Sequence, residues 1–490
     1  MPVRARSPAD SRRAGWLVFL GLVCSYAYFF QGGGWNPNSR LALTRALAER
    51  GTIAIDDYRE STEDWALSGG HFYTNKAPGL SFAAAPAWLL ARALPASPLG
   101  EDRRLLVGGY LANLLANALP SALLGVLLFH CLGWLGAGDA PGRAWLAWAY
   151  GLGTLAFPYS TAFYAHQPAA ALSFGAFAAW LAARARRDGR ALALLAGAAA
   201  GAGVLFELSS ALVVVALGLA LLREERGHRL LPWYALGGLP AAAALALYLQ
   251  AAFGSPLTTP FLHANPQVEV RVEGALFGLP PPARIAELLV LPFRGLFFTS
   301  PILALAPLGY GALRRTDPRA AWVCLAVPLG FLVLVASFHA WHGGFAPGPR
   351  YLIPCLPFLF VPAALVARRI PRIAAALAGL SVAAMLAITS VAVEIPTSAS
   401  NPLFQFVLPQ LAQGRVAVNP QGLDQLRPDP RSFAGKAPEN ASSFNLGELL
   451  WPHRAWSLVP LLGLWLALAT LLVRRTRAAR AAVGDPTRSP

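Results

Sequence analysis

Residues 36–79 read NPNSRLALTRALAERGTIAIDDYRESTEDWALSGGHFYTNKAPG, the most polar stretch in the first half of the chain. Apolar runs flank it on both sides: one covers residues 14–30, and the next starts at Gly79 and runs to residue 94. A plain connector between two membrane spans needs only a few residues. This one is long, acid-rich and aromatic, and it carries Asp56, Asp57, Asp64, His71 and Lys76. Its place between apolar runs makes it a loop lying against a membrane surface. Chemistry on a lipid-linked substrate would sit there.

The rest of the chain supports that reading. Of its 490 residues, 56% are hydrophobic and 13% charged, and mean hydropathy is +0.49. A soluble domain carries about 25% charged residues. Apolar runs recur at residues 105–135, 144–159, 168–183, 191–206, 208–222, 230–252, 295–313, 320–338, 351–367, 373–393 and 455–473. Segments inside a bilayer must satisfy their own backbone hydrogen bonds, so these runs are read as helices. The expected fold is all-α: a polytopic transmembrane bundle of about 12–14 spans, whose long first outer loop carries amphipathic interfacial helices.

Net charge is +16, which raises the question of nucleic acid. The basic residues do not form such a footprint, and no nucleic-acid partner is expected. They cluster at span ends: Arg4, Arg6, Arg12 and Arg13; Arg184, Arg186, Arg187 and Arg190; Arg223, Arg226 and Arg229; Arg314, Arg315 and Arg319; Arg368, Arg369 and Arg372; Arg474, Arg475, Arg477 and Arg480. The positive-inside rule puts these clusters, and both termini, in the cytoplasm of a multi-pass inner-membrane protein. From Arg184 onward, successive clusters are two spans apart, as the rule requires. Between Arg13 and Arg184 the runs number an odd five. Either residues 105–135, which hold Pro120, form a hairpin of two short helices, or residues 79–94 do not cross.

This topology exposes residues 31–78, 160–167, 253–294, 339–350 and 394–454 on the outer side. The last is read as a cap over that face. The basic N-terminus and the apolar run after it resemble a signal peptide, but no small-residue cleavage site follows, so an uncleaved anchor is expected. Cys24, Cys131, Cys324 and Cys355 fall in or beside apolar runs without a CxxC, so neither a zinc site nor a disulfide framework is supported. Asn440-Ala441-Ser442 matches a glycosylation sequon that nothing else in the chain supports.

Within the first loop, residues 39–50 read as a short amphipathic helix capped by Asn38 or Ser39, lying in the interface plane and stopped by Gly51. An extended stretch then leads to Asp56 and Asp57, either a solvated turn or a general base with its neighbour. Lys76, at the mouth of a span, is either a snorkelling lysine or a cation for a lipid phosphate. His166, at the edge of a span, is either a structural hydrogen-bonder or part of a site. Glu207, between two apolar runs, is an acid near lipid and hence a functional or ion-pair candidate. Arg294, in PFRGLFF, and Arg350, in WHGGFAPGPRY beside His342, are arginines on the outer side, where positive charge is not expected. Each needs a partner: a loop carboxylate such as Glu287, or a phosphate.

The phrases NSRLALTRALAERGTIAID, GHFYTNKAPGLSF, FPYSTAFYAHQ, PFRGLFFTSP and WHGGFAPGPRYLIP, in this order, resemble the C-type glycosyltransferase superfamily. Within it the likeness is to polyprenyl-phosphate-dependent enzymes related to protein O-mannosyltransferases and lipid A aminoarabinose transferases. It covers residues 1–370 as a catalytic module including outer loop 31–78, and more loosely NLGELL in the C-terminal spans of 371–490. The resemblance implies an inverting transfer of a sugar from a polyprenyl-phosphate donor at the outer face, with membrane lipid around the site and an acceptor the sequence does not name. It implies a catalytic carboxylate in the first loop, mapped to Asp56 with Asp57 and Asp64 beside it. It also implies a phosphate-binding lysine before the second span, which Lys76 matches. Where relatives carry an Asp-Glu pair soon after the first span, the acids here come later, and Ala77-Pro78 stands for Pro-Pro. Arg40, His71, His166, Arg294, His342 and Arg350 complete the candidate substrate and phosphate set. No metal ligands are assigned, and a divalent ion is compatible with the mechanism but not demanded by it. The alternative is a transporter or flippase of lipid-linked sugars, which calls for charges along the span interiors and two related halves.

Overall fold

The computed structural model describes residues 8–94, 101–268, 275–418, 443–451 and 454–484. Arg4, Arg6, the 440–442 sequon and residues 419–442 of the expected outer cap lie outside these. The chain is a bundle of helices with two small antiparallel strand pairs. Among the described residues six helices are long and apolar enough to cross a membrane: Leu105–Trp134, Gly227–Phe253, Pro318–Ser337, Arg350–Ala367, Pro371–Val391 and Ala455–Arg474. Shorter apolar helices pack among them, and the chain is a multi-pass membrane protein.

The elements that matter for the site are few. Helix α1 (Pro8–Ala27) leads into β1 (Phe29–Phe30) and α2 (Trp35–Arg45). Next come the hairpin β2–β3 (Trp65–Ser68, His71–Thr74) and α3 (Gly79–Arg92). Helix α4 (Glu101–Asn113) continues through a π turn into α5 (Leu119–Trp134). Then follow α6 (Ala140–Gly153), α7 (Ala156–Thr161), α8 (His166–Arg184), α9 (Arg190–Phe206), α10 (Ala211–Leu222) and α11 (Gly227–Phe253). The last part holds α12 (Ala306–Thr316), α13 (Pro318–Ser337), α14 (Leu356–Ala367), α15 (Pro371–Val391), β4 (Phe444–Asn445) and α16 (Val459–Gly484).

Helix packing here uses small residues, because lipid gives apolar side chains no reason to prefer one another. On α9, a Cβ added at Gly197 would lie 1.8 Å from the carbonyl oxygen of Tyr234 on α11, and one at Gly237 would lie 2.0 Å from that of Leu194. The two backbones touch, and α9 is thereby fixed with its Glu207 end held in place.

Two of the arginine clusters are tied to neighbouring helix ends. The Arg184 side chain reaches Glu224 at 2.9 Å and Asp317 at 3.0 Å, and Arg368 donates to the Gly136 carbonyl at 2.6 Å. The ends of α8, α10 and α12 therefore meet, as do those of α5 and α14, consistent with the positive-inside reading.

The parity problem resolves at α3. Residues 101–134 are one continuous helix, which overturns the hairpin reading. The remaining reading is that residues 79–94 do not cross, and the contacts of α3 are those expected of it. Its Trp88 indole donates to Glu49 of the first loop at 2.8 Å, and Gly108 on α4 packs against the same ring. Tyr110 on α4 donates to the Ala27 carbonyl, where α1 ends. Both α3 and the start of α4 thus contact residues of the first loop or the end of α1 that leads into it. On that reading, crossings between Arg13 and Arg184 become even. A cysteine at Leu94 is accordingly expected to react with a membrane-impermeant maleimide from the same side as one at Gly51; protection of Leu94→Cys until the membrane is opened would restore α3 as a span.

The first-loop helix also departs from expectation. It begins at Trp35 with Gly34 as its N-cap, and Asn36 through Thr44 are all buried. It is therefore packed against the rest of the protein along nearly its whole length. Asn38 and Ser39 do not cap it. Asn38 Nδ2 donates to the Ser61 carbonyl at 2.8 Å, and Ser39 Oγ donates to the Asp64 carbonyl and meets the Thr74 hydroxyl. These bonds pin the segment around Asp64 onto α2. Gly51 does end the helical stretch, in the left-handed region at φ +67.

Candidate active site

At the other end of α8 from Arg184, ionisable side chains from widely separated segments form one network. Lys76, where the first loop enters α3, pairs with Asp64 at 3.0 Å; their side chains are 11% and 13% exposed. The next carbonyl, that of Ala77, accepts from Arg40 Nη1 at 3.1 Å. Arg40 is buried on α2 and gives its other donors to Asn36 Oδ1 and to Glu207 Oε1, the latter at 2.7 Å. The same Glu207 oxygen lies 3.2 Å from Nδ1 of His166, the first residue of α8. The His166 ring stacks on Tyr164. The Tyr164 hydroxyl accepts from Arg350 Nη1 at 2.8 Å and donates to Glu394. The path Asp64–Lys76–Arg40–Glu207–His166–Tyr164–Arg350–Glu394 thus joins the first loop, the α9 end, the α8 start, the segment before α14 and the segment after α15.

Burying this many charges costs several kcal/mol per ion unless each finds a partner. The sequence meets that demand by pairing: Arg40 and Glu207, hidden from each other in the primary structure, neutralise one another. Three polar atoms stay uncommitted, two of them donors; the third, His166 Nε2, is an acceptor while the neutral ring turns its Nδ1–H to Glu207. Arg350 Nε, His166 Nε2 and the Tyr159 hydroxyl are buried with no hydrogen-bond partner among the described residues. They are neighbours. Tyr159 packs at 5.0 Å from Tyr164 and 5.9 Å from His166, and the Arg350 guanidinium lies over the rings of Tyr164 and Tyr351. An unmet buried donor costs about 1–3 kcal/mol. The two donors side by side form a cradle for an anion.

The remaining candidates lie elsewhere. Asp56 is exposed, accepts from the Phe72 amide at 2.7 Å and pairs with His71 at 2.8 Å. Asp57 pairs with Arg50 on the surface. Asp56, Asp57 and His71 therefore brace the β2–β3 hairpin, outside the network. Arg294 is buried, with the Glu287 carboxylate acting on it only at longer range. Its three nitrogens donate to the carbonyls of His342, Phe293 and Gly344, so it staples the loop that carries Arg350. His342 accepts from the Gly344 amide through Nδ1; burial, with Arg294 and Arg350 nearby, lowers its pKa and keeps it neutral in this role.

Glu394, Tyr164, Tyr159 and Tyr351 were not singled out from sequence. Glu394 had the same signal that marked Glu207, a lone acid at the edge of an apolar run. Among the described residues no group of three or more His, Cys, Asp and Glu side chains is placed to hold a metal ion, and all four cysteines are free. A cavity of 1330 Å³ is lined by Arg143, Trp148, Arg368 and Trp465. It holds none of the network residues, so its size does not make it the reaction site.

No protein-family model matches the sequence, and no curated protein matches it. Solved structures do. ArnT from Cupriavidus metallidurans bound to undecaprenyl phosphate aligns with a TM-score of 0.50 at 15% identity, over 95% of this chain and 72% of that one. The apo form of the same protein aligns at 0.43 and 17% identity, over 75% of this chain, which spans 61% of its length. The Archaeoglobus fulgidus oligosaccharyltransferase aligns at 0.41 and 12% identity, over 82% of this chain and 55% of that one. The first of these likenesses carries the fold: the chain has an ArnT-like, all-α membrane architecture, as the resemblance in its sequence implied.

Proposed function

We propose that the protein is a membrane glycosyltransferase that takes a sugar from a polyprenyl-phosphate carrier at the outer face of the inner membrane. The observation that carries this reading is the pair of uncommitted donors, Arg350 Nε and the Tyr159 hydroxyl, one network away from the Asp64–Lys76 pair. It is an anion site joined to a carboxylate, which is what displacement at an anomeric carbon bearing a phosphate requires. An ArnT-like fold, whose solved example holds undecaprenyl phosphate, supports a lipid-linked phosphate as the anion.

The steps follow from the chemistry of the groups. The donor phosphate displaces Lys76 from Asp64 and is held by Lys76 and Arg350. The acceptor hydroxyl attacks the anomeric carbon on the face opposite the phosphate. Asp64 takes the hydroxyl proton as the new C–O bond forms. The old C–O bond breaks, its electron pair leaves on the carrier phosphate, and the added negative charge develops between Lys76 and Arg350. The product has inverted configuration. Arg40 and Glu207 hold the lysine-bearing turn in place through the Ala77 carbonyl.

Asp64 is preferred to Asp56 on burial and on its lysine partner. A general base must reach the proton it removes, and Asp56 is committed to the hairpin. The transporter alternative finds its charges gathered at one end of the bundle instead of along the helices.

The test is reconstitution in proteoliposomes with a panel of labelled polyprenyl-phosphate sugars, each with a mixed lipid and glycan acceptor pool. Transfer with inversion from at least one donor, with release of polyprenyl phosphate, is the expected result. Movement of donor between leaflets without cleavage of any of them would favour the transporter.

A further inference from the structure

Glu394 enters the network from the far side of the chain. It follows α15 directly, and its backbone is clamped on both sides. Gln31 donates to the Thr389 carbonyl at 2.7 Å, and the Ala346 amide donates to the Ile395 carbonyl at 3.1 Å. Its side chain is buried and receives the Tyr164 hydroxyl, whose oxygen in turn accepts from Arg350 at 2.8 Å. The first loop leaves room for it only because residue 34 is glycine. That residue sits at φ +89, and a Cβ there would lie 2.7 Å from the Glu394 carboxyl carbon. The carboxyl is thus delivered to the anion cradle by the C-terminal part of the chain, which the proposed chemistry does not otherwise use.

We propose that Glu394 is a positioning residue of this site: it aligns Tyr164 and, through it, Arg350, and its charge sets how strongly that arginine holds a phosphate. The proposal rests on the phosphate reading given above. As a carboxylate, Glu394 partly neutralises Arg350 and competes with any arriving anion. As a neutral acid it leaves the guanidinium charge to the ligand.

The groups acting on Glu394 are Arg350, Tyr164 from the α7–α8 turn, Asp64 from the first loop, and Tyr159 on α7. Burial raises the Glu394 carboxyl to about 7, with Arg350 and the Tyr164 bond pulling the other way. Both charge states are therefore reached near neutral pH. The sign follows. Below this value the acid is neutral and anion binding is strong. As pH rises through it, the carboxylate forms and binding weakens. If a bound anion raises the carboxyl's pKa by about one unit, the two limits differ about tenfold in affinity.

The experiment measures the Kd of a decaprenyl methyl phosphate diester against pH, in the full-length protein. A diester is chosen because a phosphomonoester would itself titrate at about pH 6. In the wild type, affinity should fall about tenfold between about pH 5.5 and 8.5. Glu394→Gln should bind at the low-pH affinity throughout, without the slope. A flat wild-type curve overturns the proposal whether or not the variant folds, and so does a slope that persists in Glu394→Gln. Arg350→Gln separates the two readings. If it weakens binding while Glu394→Gln keeps the wild-type slope, only the role of Glu394 fails. If Arg350→Gln binds the diester like the wild type, the phosphate assignment itself falls, and the proposal with it.

Discussion

Asp64→Asn is expected to lower turnover by about 10²–10⁴-fold, the usual cost of losing a general base, while donor affinity is kept or improved. The amide has the carboxylate's shape and stays within reach of the acceptor, but it does not take up a proton at neutral pH. Affinity should not fall, because the carboxylate holds Lys76 at 3.0 Å in the resting protein and its removal frees that cation for the phosphate. Single-turnover transfer from labelled donor, alongside donor Kd, separates the two effects. Asp56→Asn is the informative comparison. Asp56 accepts the Phe72 amide and pairs with His71 at the surface, so its loss should loosen the hairpin and leave turnover within a few-fold of wild type. Normal turnover in Asp64→Asn with loss in Asp56→Asn would return the base to the hairpin and sink the assignment made here.

Sequence alone offers little to choose between the two carboxylates. The membrane class, the helical fold and the arginine clusters at span ends are properties of composition and period, which a bilayer reads residue by residue. They are legible without tertiary structure. Lys76, Arg350 and His166 stood out because charge at the end of an apolar run needs a reason. Asp56 and Asp64 look alike in one dimension: both follow the first span, and both have acidic neighbours. What separates them is the clamp of Asn38 and Ser39 on the Ser61–Asp64 turn, a long-range contact that looked from sequence like a helix cap. Arg294 misled for the opposite reason. An arginine on the outer side was expected to seek an anion, yet three backbone carbonyls satisfy it. Sequence counts charged partners and does not see carbonyls turned inward by a glycine-rich loop. Glu394 was invisible because its partner Tyr164 lies some 230 positions away, and apolarity alone does not distinguish a helix that crosses from one that packs on a loop.

The second large effect concerns the phosphate. Hydrogen bonds to charged groups contribute about 1.5–3 kcal/mol each, so Lys76→Gln and Arg350→Gln are each expected to weaken donor binding roughly 10–150-fold. Both should also slow the chemical step, because charge develops on the phosphate as the sugar leaves. Arg50→Ala serves as the reference: that side chain is 62% exposed and meets only Asp57 on the surface, where a salt bridge contributes about 0–1 kcal/mol. The double variant is the sharper test. Two residues holding one ligand couple, so the pair should lose less than the sum of the single losses, by about 0.5–3 kcal/mol. Lys76 belongs to the first loop and Arg350 to the segment before α14, and no hydrogen bond or salt bridge given for the described residues joins the two side chains. The network through Arg40, Glu207, His166 and Tyr164 also links them in the resting protein, so the same cycle on thermal stability without donor gives the part of the coupling that does not run through the ligand. Strict additivity, with both single variants weakened, would mean the two cations serve different anions. The lysine would then hold the carrier phosphate alone, and the Arg350 cradle would have to accept an acidic group on the acceptor.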